Sequence, residues 1–158
     1  MNRLTIQLQQ SKQVRVGFST GALSYLAKKI IKDHAKKLRF SHPLALELVW
    51  VSDRQIKALN SQYRKKNKAT DVLSFSYLKE IDESGLIGQI IISTDTLRRQ
   101  AEQQGHAYRT EAEVLFVHGV LHILGYDHET KKGFAKMLQL EQKYLGDKSG
   151  LVNRSMLE

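Results

Sequence analysis

Residues 118–128 constrain this chain more than any other stretch, with the sequence His-Gly-Val-Leu-His-Ile-Leu-Gly-Tyr-Asp-His. His118 and His122 are four residues apart, so on a helix their imidazoles lie on one face, one turn apart. Gly125 can adopt the left-handed backbone that ends a helix, after which the chain can return His128 as a third ligand. Three neutral imidazoles leave a fourth position open, which is typical of catalytic zinc. The stretch therefore predicts one zinc ion held by the three histidines.

The residue after the first histidine limits the chemistry that such a metal could serve. The spacing His-x-x-x-His-x-x-Gly-x-x-His is also that of the metzincin peptidases, which place a general-base Glu directly after the first His. Here that position is Gly119. A metallopeptidase-like hydrolase is therefore an alternative that keeps the metal ligands and lacks the proton acceptor.

Length and composition bound the remaining possibilities. A chain of 158 residues with 41% hydrophobic residues predicts a single domain over residues 1–158, with a frayed tail at 151–158. Because the chain contains no cysteine, disulfides and thiolate metal sites are excluded. It shows no apolar leader and no run of membrane-spanning length, so we expect a cytoplasmic protein without membrane contact. The net charge of +9 favours polyanionic partners, nucleic acid first.

Hydrophobic periodicity predicts alternating strands and helices. Residues 114–124 are apolar nearly all round, which indicates a buried central helix, opened by a capping box of Thr110 and Glu113. The predicted strands cover residues 3–8, 44–51, 72–77 and 88–93, and the predicted helices cover residues 20–38, 52–63, 94–104, 110–124 and 130–145. We therefore expect an α+β fold, in which a small, roughly four-stranded mixed sheet packs against helices and the central helix carries the metal ligands.

A basic segment follows the second predicted helix. No acidic residue lies between Asp53 and Asp71, and the cations there include Arg64, Lys65, Lys66 and Lys68. An arginine guanidinium can bind phosphate oxygens with two hydrogen bonds and stabilise charge that develops during cleavage, so Arg64 is the candidate catalytic residue. The three lysines are candidates for substrate binding. The alternative for Arg64 is a solvated loop arginine.

Asp127 stands directly before the third histidine. Its carboxylate could orient a ligand imidazole by a hydrogen bond. It could equally cap the turn that follows the helix, because Asp side chains readily bond to nearby backbone amides. Both alternatives remain open at this point.

Two segments together resemble the YbeY-type endoribonucleases, a family of bacterial rRNA maturation factors. The first is residues 59–75, Leu-Asn-Ser-Gln-Tyr-Arg-Lys-Lys-Asn-Lys-Ala-Thr-Asp-Val-Leu-Ser-Phe, and the second is the histidine segment with Gly in second position. Residues 88–93 lie where that family has a Gly-led strand. The chain departs from the family's usual Asp at Asn67 and at Gln89, and from its usual Pro at Ala69 and Ser76.

The resemblance implies a zinc-dependent, single-strand-specific endoribonuclease that acts in 16S rRNA 3′-end maturation and ribosome quality control. It implies His118, His122 and His128 as metal ligands and Arg64 as the active-site arginine. The implied partners are single-stranded RNA, the 16S rRNA precursor and the small ribosomal subunit, with no DNA expected. The alternative is a zinc-stabilised RNA- or ribosome-binding module without catalysis, which the open coordination position disfavours.

Overall fold

The structure is a computed structural model that describes residues 6–34 and 43–146. Its strands are β1 (Ile6–Lys12), β2 (Leu44–Val51), β3 (Val72–Ser76) and β4 (Leu86–Ser93). Its helices are α1 (Gly21–His34), α2 (Asp53–Arg64), α3 (Thr94–Gln104), α4 (Tyr108–Ile123) and α5 (Lys131–Leu145), with one 3₁₀ turn at Leu78–Glu80.

The four strands form one mixed sheet in the order β1-β2-β4-β3. β1 and β4 both run parallel to β2, whereas β3 runs antiparallel to β4. β3 therefore lies at an edge of the sheet, next to the central strand β4. This arrangement confirms the predicted α+β fold with a four-stranded mixed sheet.

Most of the core lies on one face of the sheet, where α4 is the central helix. Leu46, Leu48 and Trp50 alternate along β2 and are fully buried in this core. α4 contacts β3 and β4 as well as α1, α3 and α5, so few of its side chains reach solvent. The predicted buried central helix is confirmed, and its apolar sequence follows from having neighbours on all sides.

The opposite face of the sheet carries a smaller cluster under α2. Val51, Ile56, Leu73 and Ile91 are buried there. α2 covers only part of this face, so other apolar side chains on β2 and β3 are left partly exposed.

The helix ends follow local chemistry in most cases. Ser52 caps α2 in a capping box, since its side chain accepts from the Gln55 amide and its own amide donates to the Gln55 side chain. Thr130 caps α5 by accepting from the Gly133 amide, and Gly146 follows its last turn with φ +59°. Both helices follow the usual preference for a hydroxyl residue at the N-cap, and α5 has glycine after its last turn.

The predicted capping box of Thr110 and Glu113 is wrong. α4 begins at Tyr108 after the N-cap residue Ala107, which makes no side-chain capping bond, so Thr110 lies inside the first turn. His106, just before the helix, pairs instead with Glu111, with 2.6 Å between Nε2 and Oε2. This local contact, between residues five apart, lies at the helix entry where a cap from Thr110 was expected.

Strand boundaries differ modestly from the prediction. β1 continues to Lys12, because parallel pairing with β2 supplies backbone hydrogen bonds to polar residues that carry no strand signal of their own. β4 begins at Leu86 rather than residue 88. The predicted parts at residues 3–5 and 35–38, and the tail at 151–158, lie outside the described residues, and the single-domain assignment stays a prediction. Among the helices of the described ranges, none combines the length and apolarity needed to span a bilayer.

Candidate metal centre

The three predicted ligands meet at the C-terminal end of α4. His118 and His122 lie one turn apart, with 2.9 Å between their Nε2 atoms. His128 approaches from the loop after the helix, with its ring centroid 5.8 Å from that of His118 and 5.3 Å from that of His122. One nitrogen from each ring lies within 4.8 Å of the others, so within the described residues this cluster could hold a metal ion.

The backbone turn that returns His128 depends on Gly125. This residue has φ +99°, a left-handed conformation that costs a residue with a Cβ about 1–2 kcal/mol. Its amide donates to the carbonyl of His122, and the Tyr126 amide donates to the carbonyl of Leu121, so the carbonyls at the helix end are satisfied. The predicted role of Gly125 in ending the helix is confirmed.

A buried glutamate from another helix orients the first ligand. Nδ1 of His118 lies 2.7 Å from Oε1 of Glu141 on α5, and Glu141 is fully buried. A carboxylate accepts, so this contact places the ring proton on Nδ1 and leaves the Nε2 lone pair for a metal.

Sequence reasoning missed Glu141, although a signal was present. It stands on the inward face of α5, close to Met137 and Leu145, where an apolar residue would be expected. A carboxylate within an apolar stripe needs a buried partner.

Electrostatics at the cluster suit metal ligation. Burial lowers the pKa of His122 to about 4, with further lowering by the neighbouring His118 and His128. The imidazole is therefore neutral at pH 7, which is the form that binds a metal. The converging nitrogens, the neutral His122 and the Glu141 partner of His118 together fit a metal ion.

Arg64 lies at the same site. It lines a cavity of about 800 Å³ together with all three histidines. Its Nη2 atom donates to the carbonyl of Ser74 at 2.8 Å, and its guanidinium carbon lies 5.3 Å from the centroid of the Phe75 ring. The arginine is thus held against β3 on one side of the cavity.

The predicted substrate-binding lysines divide into two groups. Lys66 and Lys68 line the cavity, whereas Lys65 does not. Lys65 is the C-cap residue of α2 and takes the left-handed conformation with φ +59°, which turns the chain away from the helix. The structure therefore places two of the three lysines on the cavity that contains the histidine cluster.

Helix α3 provides the wall that sequence reasoning did not assign. Thr96, Arg99, Gln100 and Gln103 line the cavity from this helix. Arg99 pairs with Asp53 at 2.7 Å, and Gln100 donates to Asp71 at 3.3 Å. These residues occupy the polar face of an amphipathic helix, a pattern that is equally typical of plain solvent exposure.

Asp127 has a turn-capping role in the structure. Its Oδ1 atom accepts from the amide of Glu129 at 3.2 Å, within the loop that carries His128. The carboxylate that bonds to a ligand imidazole belongs to Glu141. Orientation of an imidazole by Asp127 stays a prediction.

Gly119 faces the sheet rather than the cavity. A Cβ atom at this position would lie 3.2 Å from a side-chain carbon of Ile90 on β4. The missing side chain allows α4 to approach the sheet closely. A glutamate here would enter the core, so this site lacks both the general base of a metallopeptidase and the space for one.

The fold and site thus define an α+β protein in which a three-histidine cluster, able to hold a metal ion, lies in a cavity with Arg64, Lys66, Lys68 and Arg99. A family model described as endoribonuclease YbeY matches residues 6–148. The chain belongs to the endoribonuclease YbeY family. It is therefore an enzyme of the hydrolytic nuclease class, with RNA as its substrate class.

Individual relatives agree with this assignment. An endoribonuclease YbeY from Synechococcus sp. (strain CC9605) is 42% identical over 115 residues, covering 70% of this chain and 69% of that protein. One from Thermodesulfovibrio yellowstonii is 41% identical over 122 residues, covering 76% and 75%. The solution structure of a Thermotoga maritima protein superposes with a TM-score of 0.51 at 25% identity, covering 95% of each chain.

Proposed function

We propose that the protein is a zinc-dependent, single-strand-specific endoribonuclease that matures the 3′ end of 16S rRNA and takes part in ribosome quality control. The observation that carries the proposal is the presence of His118, His122, His128 and Arg64 on one cavity. Its biological setting rests on the family resemblance. The proposed partners are the 16S rRNA precursor and the small ribosomal subunit, and the proposed location is the cytoplasm.

The choice of zinc rests on the donor set. Three imidazole nitrogens, one with a carboxylate partner, match the ligands of catalytic zinc sites. Zinc held in this way supplies Lewis-acid chemistry and makes a nearby water more acidic, so that no glutamate base beside His118 is required.

The chain's own residues position the phosphodiester. Arg64 uses one N–H on the Ser74 carbonyl and stacks on Phe75, which restricts the guanidinium before substrate arrives. Its remaining N–H groups can donate to non-bridging phosphate oxygens, where charge grows in the transition state. Lys66 and Lys68 add positive charge along the same cavity and bind the polyanion without base preference.

A recessed site favours a flexible strand over a duplex. His118 is 8% exposed and lies in the cavity between α3, β3 and the end of α4. A single strand can bend a phosphate into such a recess, whereas a base-paired helix holds its phosphates on a rigid cylinder.

The test compares protein loaded with zinc with protein stripped by a chelator, on single-stranded RNA, duplex RNA and single-stranded DNA of one sequence. We expect cleavage only of the single-stranded RNA and only with metal, restored when zinc is added back. The termini of the products identify water or the 2′-hydroxyl as the nucleophile. Metal-independent cleavage, or RNA binding without cleavage, would contradict the proposal.

A further inference from the structure

A second recess lies on the sheet face that α2 leaves partly open. This recess, called the sheet groove here, has a volume of about 670 Å³. Val49, Leu59 and Phe75 lie half-buried along it, and Tyr63 and Tyr77 are 57% and 37% exposed at its margin. So much exposed apolar and aromatic surface in one place is characteristic of a binding site.

The sheet groove and the cavity that contains the histidine cluster share strand β3 as their common wall. Side chains alternate along a strand, so Ser74 and Ser76 line the cavity while Phe75 and Tyr77 line the groove. Because β3 is an edge strand of the described sheet, an RNA strand that occupied both recesses would pass around that edge.

Arg64 connects the two recesses physically. Its guanidinium reaches the Ser74 carbonyl on the cavity side while packing over the Phe75 ring, which faces the groove. The Phe75 ring also makes an edge contact with Tyr63, with 5.5 Å between centroids. A phosphate bound by Arg64 would therefore hold its neighbouring nucleotide beside these aromatic rings.

The chemistry of the groove matches a nucleobase. Aromatic rings offer stacking surfaces, which every base can use. The amides of Gln13, Gln55 and Gln89 also line the groove, and a primary amide can donate to and accept from the edge of an unpaired base. Glu47, an acidic residue next to Gln89, accepts a hydrogen bond from its amide at 3.2 Å.

The charge around the groove fits a nucleic-acid strand. α2 forms one side of the groove through Gln55, Ala58, Leu59 and Tyr63. The same helix carries the exposed Arg64, whose guanidinium carbon lies 5.3 Å from the centroid of the Phe75 ring. A cation beside a stacking surface suits a single strand, since its phosphates remain outside while its bases turn inward.

We propose that the sheet groove is a nucleobase subsite, which holds an unpaired base of the same single-stranded RNA whose phosphodiester lies at the histidine cluster. This inference rests on the proposed ribonuclease function and extends it. The subsite lengthens the footprint of the enzyme beyond the scissile bond. It also requires unpaired nucleotides next to the cut, because a base engaged in a duplex cannot stack on Tyr77 and Phe75.

The test uses steady-state cleavage by the metal-loaded enzyme on RNAs that lengthen one nucleotide at a time from a dinucleotide. For RNAs long enough to reach the groove, Tyr77→Ala should raise KM about tenfold, within the range for one lost base stack, and leave kcat unchanged. The dinucleotide should be cleaved equally by both enzymes. Tyr77→Phe should retain the wild-type KM because it keeps the ring.

Three further measurements identify the base and exclude general effects. An abasic residue at the groove position should raise KM more for the wild type than for Tyr77→Ala, since both changes remove the contact between the base and Tyr77. Gln89→Glu should raise KM by adding charge beside Glu47. Tyr25→Ala, which removes a tyrosine that is 66% exposed on α1 and away from the groove, should change nothing.

The outcomes distinguish failure of the nucleobase subsite from failure of the proposed ribonuclease function. If the wild type cleaves RNA and Tyr77→Ala shows the same KM at every RNA length, the groove does not bind a base. Its occupant would then be a protein partner or a second copy of this chain. If the wild type cleaves no RNA, the proposed function fails and the subsite fails with it. Circular dichroism and metal content of each variant confirm that fold and site are intact.

Discussion

Nδ1 of His118 lies 2.7 Å from a carboxylate oxygen of Glu141, and the glutamate is fully buried on α5. This contact joins two helices at the candidate metal centre. The second carboxylate oxygen, Oε2, is buried and makes no hydrogen bond within the described residues. A buried carboxylate held mainly by one imidazole is costly unless a cation lies beyond that ring, which a bound metal would supply.

Glu141→Gln tests this relationship. The amide keeps the shape and can still accept from Nδ1, but it removes the negative charge that strengthens His118 as a ligand. We expect zinc affinity to fall by about 10- to 100-fold, measured by competition with a chromophoric chelator. Glu129→Gln, an exposed change in the loop of His128, is the matched control and should bind zinc normally. Equal zinc affinity of the wild type and both variants would show that Glu141 does not support metal binding.

Arg64→Ala separates phosphate stabilisation from simple charge attraction. We expect a loss of roughly a hundred- to a thousand-fold in kcat, because the guanidinium faces charge that develops only in the transition state. RNA affinity should fall less, and zinc content should stay unchanged. Lys65→Ala is the neighbouring control, since Lys65 does not line the cavity and its removal should leave kcat intact. An unaltered kcat at saturating RNA in Arg64→Ala would contradict this role.

The depressed pKa of His122 predicts a pH dependence of the metal-free protein. The pKa is about 4 in the folded protein, against an ordinary value of 6.5, so between these values the unfolded chain binds more protons. The free energy of unfolding should therefore fall as pH decreases from about 6.5 toward 4, and His122 should contribute little change above that window. Urea titrations of the chelator-treated protein at several pH values measure this free energy of unfolding. His122→Gln should show a shallower decline, and an identical pH profile would refute the assignment.

Gly119→Glu tests whether close packing of α4 against the sheet excludes a glutamate at the position of the peptidase base. The Cβ atom would crowd Ile90 and the carboxylate would be forced into the core, so we expect a loss of stability of about 3 kcal/mol or more. No peptidase activity should appear. Gly21→Glu places the same side chain at the start of α1, where the space is open and the helix dipole favours negative charge. That control should unfold like the wild type, and equal stability of the two variants would contradict the packing argument.

Local features of the sequence determined the histidine site and most of the elements. The spacing of His118 and His122 is a property of any helix, and Gly125 ends that helix because only its backbone readily takes φ +99°. Hydrophobic periodicity placed β2, α2 and α5 close to their observed positions. These predictions succeed because each depends on residues within one or two turns of the chain.

Only the tertiary structure decided which distant side chains complete the site. Glu141 reaches His118 because α5 packs on α4, and α3 becomes a cavity wall because it packs on the other side of the same helix. Such contacts depend on how whole helices pack, and the energy that selects them comes from burial of the core. The periodicity of each helix indicates which face is buried, but it does not identify the helix or strand that covers that face.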